Sequence, residues 1–194
     1  GIERDYSRAI EWFMKAARQE HIFAQFALGI CYDLGKGCIR NDSEAVKWYL
    51  KAAEQGHAKS QNKLAEHYLE GKGIEKDYSQ ALLWLKRAAD QGHSEAQNNL
   101  GNRYYKGEGV VQDYSEAVKW YLKSAKQNCS VAQNNIGNCY RKGEGVVQNY
   151  REAIKWYEKA AEQGNVFAQF NLGNCYYNGT GVLIDKSIFP GQGE

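Results

Sequence analysis

Four sets of residues in this 194-residue chain have types and spacing that could do chemistry. His21, His57 and His93 suggest a zinc-binding set, because neutral imidazole is a common metal ligand. Ser60-Gln-Asn-Lys63 matches the Ser-x-x-Lys of penicillin-recognising enzymes, in which a serine nucleophile works beside a lysine. Lys15, Lys51, Arg87, Lys123 and Lys159 form an unbroken cationic column, with Lys47, Lys119 and Lys155 one helical turn earlier. Such cations could hold the carboxylates of a peptide. Asn99, Asn135 and Asn171, with Asn102, Asn138 and Asn174 three residues on, offer amides that both donate and accept hydrogen bonds.

Three of the four sets repeat at one interval, and Ser60-Gln-Asn-Lys63 occurs once. The five tryptophans, Trp12, Trp48, Trp84, Trp120 and Trp156, stand 36 residues apart without an insertion. Ala9, Ala45, Ala81, Ala117 and Ala153 keep the same period, as do Gln25, Gln61, Gln97, Gln133 and Gln169. Two glycine columns start at Gly35 and Gly37, and a tyrosine column at Tyr32. A 36-residue unit cannot bury a core alone, so the copies must stack on their neighbours. Function is then expected on an extended surface rather than in one catalytic pocket.

Each copy reads as two helices. Asp113 caps the first, and Glu116 is placed to reach back from the third helical position. Asn149 with Glu152, Asn41 with Glu44, and Asp77 with Gln80 repeat the device, while Arg8 replaces the acid in the first copy. Gly56, Gly92 and Gly164 stop the first helix. Asn128 can do so less readily, and Glu20 not cheaply. The second helix, about Ala58 to Glu70 in one copy, ends at Gly71-Lys72-Gly73. On a helical wheel Ala9, Ile10, Trp12, Phe13, Ala16 and Ala17 share one arc. Ala24, Leu28, Cys31 and Tyr32 form the buried stripe of the second helix. Gly29, Gly101, Gly137 and Gly173, with Ala65 in the same column, allow close approach.

Lines such as Asp113-Tyr-Ser-Glu-Ala-Val-Lys-Trp-Tyr, Ala160-Ala-Glu-Gln-Gly and Tyr104-Tyr-Lys-Gly-Glu-Gly-Val resemble the Sel-1-like repeat family, a relative of the tetratricopeptide repeats. The resemblance covers residues 1–184. It implies an all-α fold, a right-handed α/α superhelical solenoid of five 36-residue helix-turn-helix repeats. The helix pairs are expected at about 5–37, 41–73, 77–109, 113–145 and 149–181. Residues 185–194 lose the register and are read as a tail. The resemblance further implies an adaptor that holds other proteins together. The chain starts inside a repeat signature, without methionine, as a piece of a longer protein would.

A net charge of +2 is too slight to predict nucleic-acid binding. No stretch reaches the length of a membrane-spanning helix. The five cysteines give no convincing disulfide framework, because Cys31, Cys139 and Cys175 share one column whose members lie in successive or separate repeats. Cysteine-rich secreted relatives bridge the two helices of a repeat, and that spacing is absent here. A cytoplasmic setting is therefore the expectation. The sequons at Asn41, Asn128 and Asn178 keep a secreted or ER-luminal one open.

Weighed against the repeat, the histidines become one surface residue per copy at the start of the second helix. Ser60 falls in the column of Ala24, Ala96, Ala132 and Ala168, and so should pack inward. Neither a metal, a cofactor nor catalysis is expected. The lysine column reads either as a basic groove for an acidic or C-terminal carboxylate segment, or as a solvated face neutralised by nearby glutamates. The asparagines read as inter-repeat bonds or as ligand contacts. The expected function is a non-catalytic scaffold binding a partner protein or peptide. The alternative is a cell-envelope or secreted repeat protein with weak hydrolase or penicillin-binding activity. Oligomeric state is not legible.

Overall fold

Polar side chains set where each helix begins. Asp5, Asn41, Asp77, Asp113 and Asn149 are extended N-caps whose side-chain oxygens accept backbone N–H groups two or three residues on, at 2.8–3.1 Å. The computed structural model describes residues 4–181 and shows ten helices there: α1 (Tyr6–Ala17), α2 (Ile22–Leu34), α3 (Asp42–Glu54), α4 (Ala58–Glu70), α5 (Tyr78–Asp90), α6 (Ser94–Lys106), α7 (Tyr114–Ala125), α8 (Ser130–Lys142), α9 (Tyr150–Glu162) and α10 (Val166–Tyr177). The expected tail at 185–194 lies outside the described residues. The helices form two compact units, α1–α6 up to Val111 and α7–α10 from Gln112.

Two details differ from the sequence reading. The carboxylates of Glu44, Glu116 and Glu152 turn forward rather than back, and pair with Lys47, Lys119 and Lys155 at 2.5, 2.9 and 2.6 Å. The backbone N–H of Asn41 and of Asn149 is already donated to the carbonyl of Tyr32 and of Tyr140, at 2.9 Å, and an ammonium three residues on is the stronger partner. Glu20 adopts the left-handed conformation after all, with φ 61°, as does Asn128. That costs a non-glycine residue about 1–2 kcal/mol, and α1 and α7 end one residue earlier than the other first helices.

Small residues decide how close the pairs can come. In the first unit α2 packs on α3 and α4 on α5; in the second α8 packs on α9. A Cβ at Gly29 would lie 2.4 Å from the Tyr49 ring, and one at Gly137 2.5 Å from the Tyr157 ring. Both rings are fully buried. Where the aromatic column holds Leu85, twenty residues earlier the small column holds Ala65 instead of glycine. Ring and glycine thus vary together within one chain. Gly73 and Gly145, at the loop after each second helix, lie against the backbone of Asp42 and Tyr114 and leave no room for a side chain.

Burial of the tryptophan column is graded. Trp84 and Trp120 are 6% and 7% exposed, whereas Trp12 is 62% exposed. Trp48 packs on Ala17, Ala24 and Leu28 of the preceding helix pair. No described helix stands in that position for Trp12, so its assignment to the buried arc is corrected.

Buried glutamines close the junctions within each unit. Gln25, Gln61 and Gln133 are 2–3% exposed. Each donates from Nε2 to a carbonyl eight residues back, at Ala17, Ala53 and Ala125. Each accepts from the amide of a glutamine thirty residues on: Gln55 and Gln91 at 2.8 Å, Gln163 at 2.7 Å. Those second glutamines also donate to the backbone carbonyls of Lys51, Arg87 and Lys159.

Gly137→Ala is expected to destabilise the second unit by about 1–3 kcal/mol, the usual range for an overpacked core. Adding Tyr157→Leu should recover part of that loss, because it rebuilds the Ala65/Leu85 pairing. Urea unfolding of the three variants checks this, and purely additive losses would contradict it.

Candidate functional site

The cationic column does not stand free in solvent. Lys15, Lys51, Lys123 and Lys159 each hold Nζ over the indole three residues earlier, at 4.0, 4.6, 3.8 and 4.5 Å from the ring centroid. Arg87 holds its guanidinium 4.7 Å from the Trp84 ring. The spacing is one helical turn, which puts both side chains on one face. Each such contact contributes about 0.5–1 kcal/mol at an exposed site. The indole N–H groups of Trp48, Trp84 and Trp120 make no hydrogen bond among the described residues, so it is the ring faces that engage. Lys47, Lys119 and Lys155 are the ones committed to glutamates. The column from Lys15 to Lys159 keeps its ammonium groups exposed and oriented, while the second column is neutralised in place.

Two clefts open beside this column, one in each unit. The first, of about 450 Å³, is bounded by Arg18, Glu20, Trp48, Lys51, Glu54 and the Gln25–Gln55 pair. The second, of about 560 Å³, is bounded by Lys126, Asn128, Trp156, Lys159, Glu162 and the Gln133–Gln163 pair. Every lining position of one matches the other at an offset of 108 residues, three repeat lengths. The sequence analysis names Lys51, Lys159 and the column of Gln25 and Gln133, but not Gln55 and Gln163 beside them. Gln19, Gln55, Gln91, Gln127 and Gln163 form a second unbroken glutamine column, and that was the available signal.

The histidines are N-caps. Nδ1 of His21 and of His93 accepts the backbone N–H of Ala24 and Ala96, at 3.2 and 3.3 Å. His57 Nδ1 instead meets the Ser60 hydroxyl at 2.8 Å. They are spread one per repeat, and among the described residues no group of three or more His, Cys, Asp or Glu could hold a metal ion. Burial holds the His57 and His93 pKa below the ordinary value, and nearby Lys59 adds to this. Ser60 is fully buried. Its Oγ is turned to His57 rather than to a cleft, and Lys63 pairs with Glu66 at 2.7 Å.

Asn99 donates to Asn62 at 3.2 Å, linking α6 to α4. Asn171 donates to Asn134 at 2.9 Å and to Asn138 at 3.4 Å, linking α10 to α8. Asn135 lies half-buried on α8. All five cysteines are free thiols. Burial pushes the Cys139 thiol up to about 12, so it packs as a small protonated hydrophobe. No described helix is long and apolar enough to cross a membrane.

An imidazole that accepts at Nδ1 must be neutral there, so the caps link stability to pH. The unfolded histidines take up protons near pH 6.5, the folded His57 and His93 at lower pH. Their stabilisation is present above the unfolded value and is lost as pH falls through the folded values. Thermal unfolding between pH 7 and 5 should show the loss, about 1 kcal/mol for the His93 cap. The variant His93→Asn should reduce it, since Asn165 caps α10 in the same column. An unchanged pH slope in that variant would contradict the assignment.

The Sel1 repeat profile matches six consecutive segments, residues 1–21, 22–57, 58–93, 94–129, 130–165 and 166–188. The fold is similar to that of a protective antigen of uropathogenic Escherichia coli strains that displays an SLR fold, with 37% identity and a TM-score of 0.88. That match covers 93% of this chain and 39% of the antigen, so the chain spans well under half of that protein's length. It is similar also to a Sel1 repeat protein from Oxalobacter formigenes, with 36% identity and a TM-score of 0.89, over all of this chain and 81% of the other. An immunity protein from Pseudomonas aeruginosa, 20% identical with a TM-score of 0.58 over 86% of this chain and 62% of its own, shares the fold alone. No protein with a curated function matches. With its repeat signatures matched along nearly its whole length, and helix pairs stacked as in those structures, the chain belongs to the Sel1 repeat family.

Proposed function

We propose that this chain is a non-catalytic scaffold that binds a partner protein or peptide along the exposed face of its first helices. Sel1 repeat proteins generally act as interaction scaffolds, and this one brings a regular array of cations to its surface. The observation that carries the reading is the stacking of Lys15, Lys51, Arg87, Lys123 and Lys159 on the five indoles. A stacked ammonium has already lost part of its rotamer freedom, so less is lost when a carboxylate pairs with it. The partner segment is therefore acidic. The residues that suggested hydrolysis have structural partners instead: Ser60 is buried against His57, and Lys63 pairs with Glu66. The same reading takes a reducing, cytoplasmic setting from the cysteine spacing in the sequence, which gives no disulfide framework.

The test is retention of a captured partner by the wild-type chain and by the charge-reversed variant Lys51→Glu/Arg87→Glu/Lys123→Glu. Affinity should fall at least tenfold, and binding by the wild type should weaken as salt rises. Undiminished affinity in the variant would remove the basic face from the function.

A further inference from the structure

The two clefts beside the lysine column mark the places where the repeat breaks its own pattern. At the position after the first helix the chain reads Arg18, Glu54, Asp90, Lys126 and Glu162 in successive copies. Two residues further it reads Glu20, Gly56, Gly92, Asn128 and Gly164. Only the first and fourth copies carry a cation at the former and a non-glycine residue at the latter. Those are the copies whose left-handed turn is made by Glu20 or Asn128, each at φ 61°. They are also the copies whose first helix stops one residue early, and each carries a cleft. A left-handed non-glycine residue costs stability that glycine would save, and the fold has kept it twice in the same setting.

The charge differs between the two. In the first unit Arg18 and Lys51 are balanced by Glu20 and Glu54. In the second, Lys126 and Lys159 face Glu162 alone, because the acid at the left-handed turn is replaced by Asn128. The second cleft thus has an excess of one positive charge. It also has a polar handle for a backbone. Gln163 spends its amide nitrogen on Gln133 and on the Lys159 carbonyl, which leaves its Oε1 to accept.

We propose that the cleft of Lys126, Asn128, Trp156, Lys159 and Gln163 is the anchoring subsite for an acidic side chain of an extended partner peptide. The carboxylate is held by Lys126 and Lys159, and a peptide N–H donates to Gln163 Oε1. The cleft in the first unit has the same framework but is closed to that anchor by Glu20. The proposal rests on the protein-binding reading of the basic face and assigns that face a specificity-determining residue, Asn128.

The experiment follows the Trp156 indole and Gln163 side-chain amide signals of the whole chain by NMR during titration. The probe is the blocked pentapeptide acetyl-Ala-Ala-Glu-Ala-Ala-amide, with its Glu→Gln analogue as control. The Trp156 and Gln163 signals should move saturably with the acidic probe and not with the control. Asn128→Glu should weaken the response about tenfold by adding a like charge to the site. That variant is expected to fold, since glutamate already occupies the equivalent turn at Glu20. Conversely, Glu20→Asn should bring the Trp48 signal into play. Equal responses to both probes, or a response indifferent to Asn128→Glu, would overturn the proposal. So would preferential binding of a single-stranded oligonucleotide at the same signals. Movement confined to Trp84 or Trp120 would overturn the assignment to this cleft while leaving the broader basic face standing.

Discussion

A glutamine amide sealed between two helix pairs must have both of its ends satisfied, or it destabilises the junction that hides it. Each buried polar end left without a partner costs about 1–3 kcal/mol. Gln25, Gln61 and Gln133 meet the requirement in the same manner. The nitrogen end adds a second donor to a carbonyl at the end of the first helix of its own repeat, which also accepts a backbone N–H three residues on, and the oxygen end takes the glutamine that follows the next first helix. One side chain therefore fixes the turn within a pair and the spacing to the next pair. A hydrophobic contact would tolerate sliding, and this hydrogen-bond pair does not.

What lies around the clasp inherits its precision. The second glutamine of each clasp also binds the carbonyl of the cationic residue four positions before it, so the backbone of the Lys51–Lys159 column is tied to the repeat junction. The indoles support the cations from below. The glycine that admits Tyr49 or Tyr157 lets the second helix come near enough for the clasp to close. In both clefts the glutamine pair forms part of the wall. Residues that hold the stack and residues that could hold a partner are thus neighbours: the glutamine columns and the cation column recur in every copy, while the turn positions of Glu20 and Asn128 change from copy to copy.

Periodicity made most of the fold legible. A 36-residue spacing of tryptophans, glycines and caps determines helix pairs, their turns and their stacking, because each column answers to a local rule of helix geometry. Less could be read where the partner lies in the next repeat. The Gln25 column was visible as a recurrence, yet its role depends on a bond to Gln55 that no local pattern announces. The cap histidines looked like ligands or surface residues because an imidazole rarely serves as an N-cap acceptor. Glu20 was read as a poor helix stop, which it is, but the stop is made anyway. The lysines are legible as a column, while the distinction between those stacked on indoles and those paired with glutamates depends on rotamers that spacing alone does not set.

Hydrogen exchange of the Gln61→Leu variant tests the clasp most directly, since leucine keeps the volume and removes both bonds. The account predicts faster exchange in the last turn of α3, where the Ala53 carbonyl loses its side-chain donor and keeps only backbone N–H partners, and at the end of α5, where Gln91 loses its acceptor. Protection in α8, α9 and α10, which have their own clasp at Gln133, should be unchanged. Exchange that rises in α4 alone, with α3 and α5 as well protected as in the wild type, would contradict the claim that this amide couples one repeat to the next.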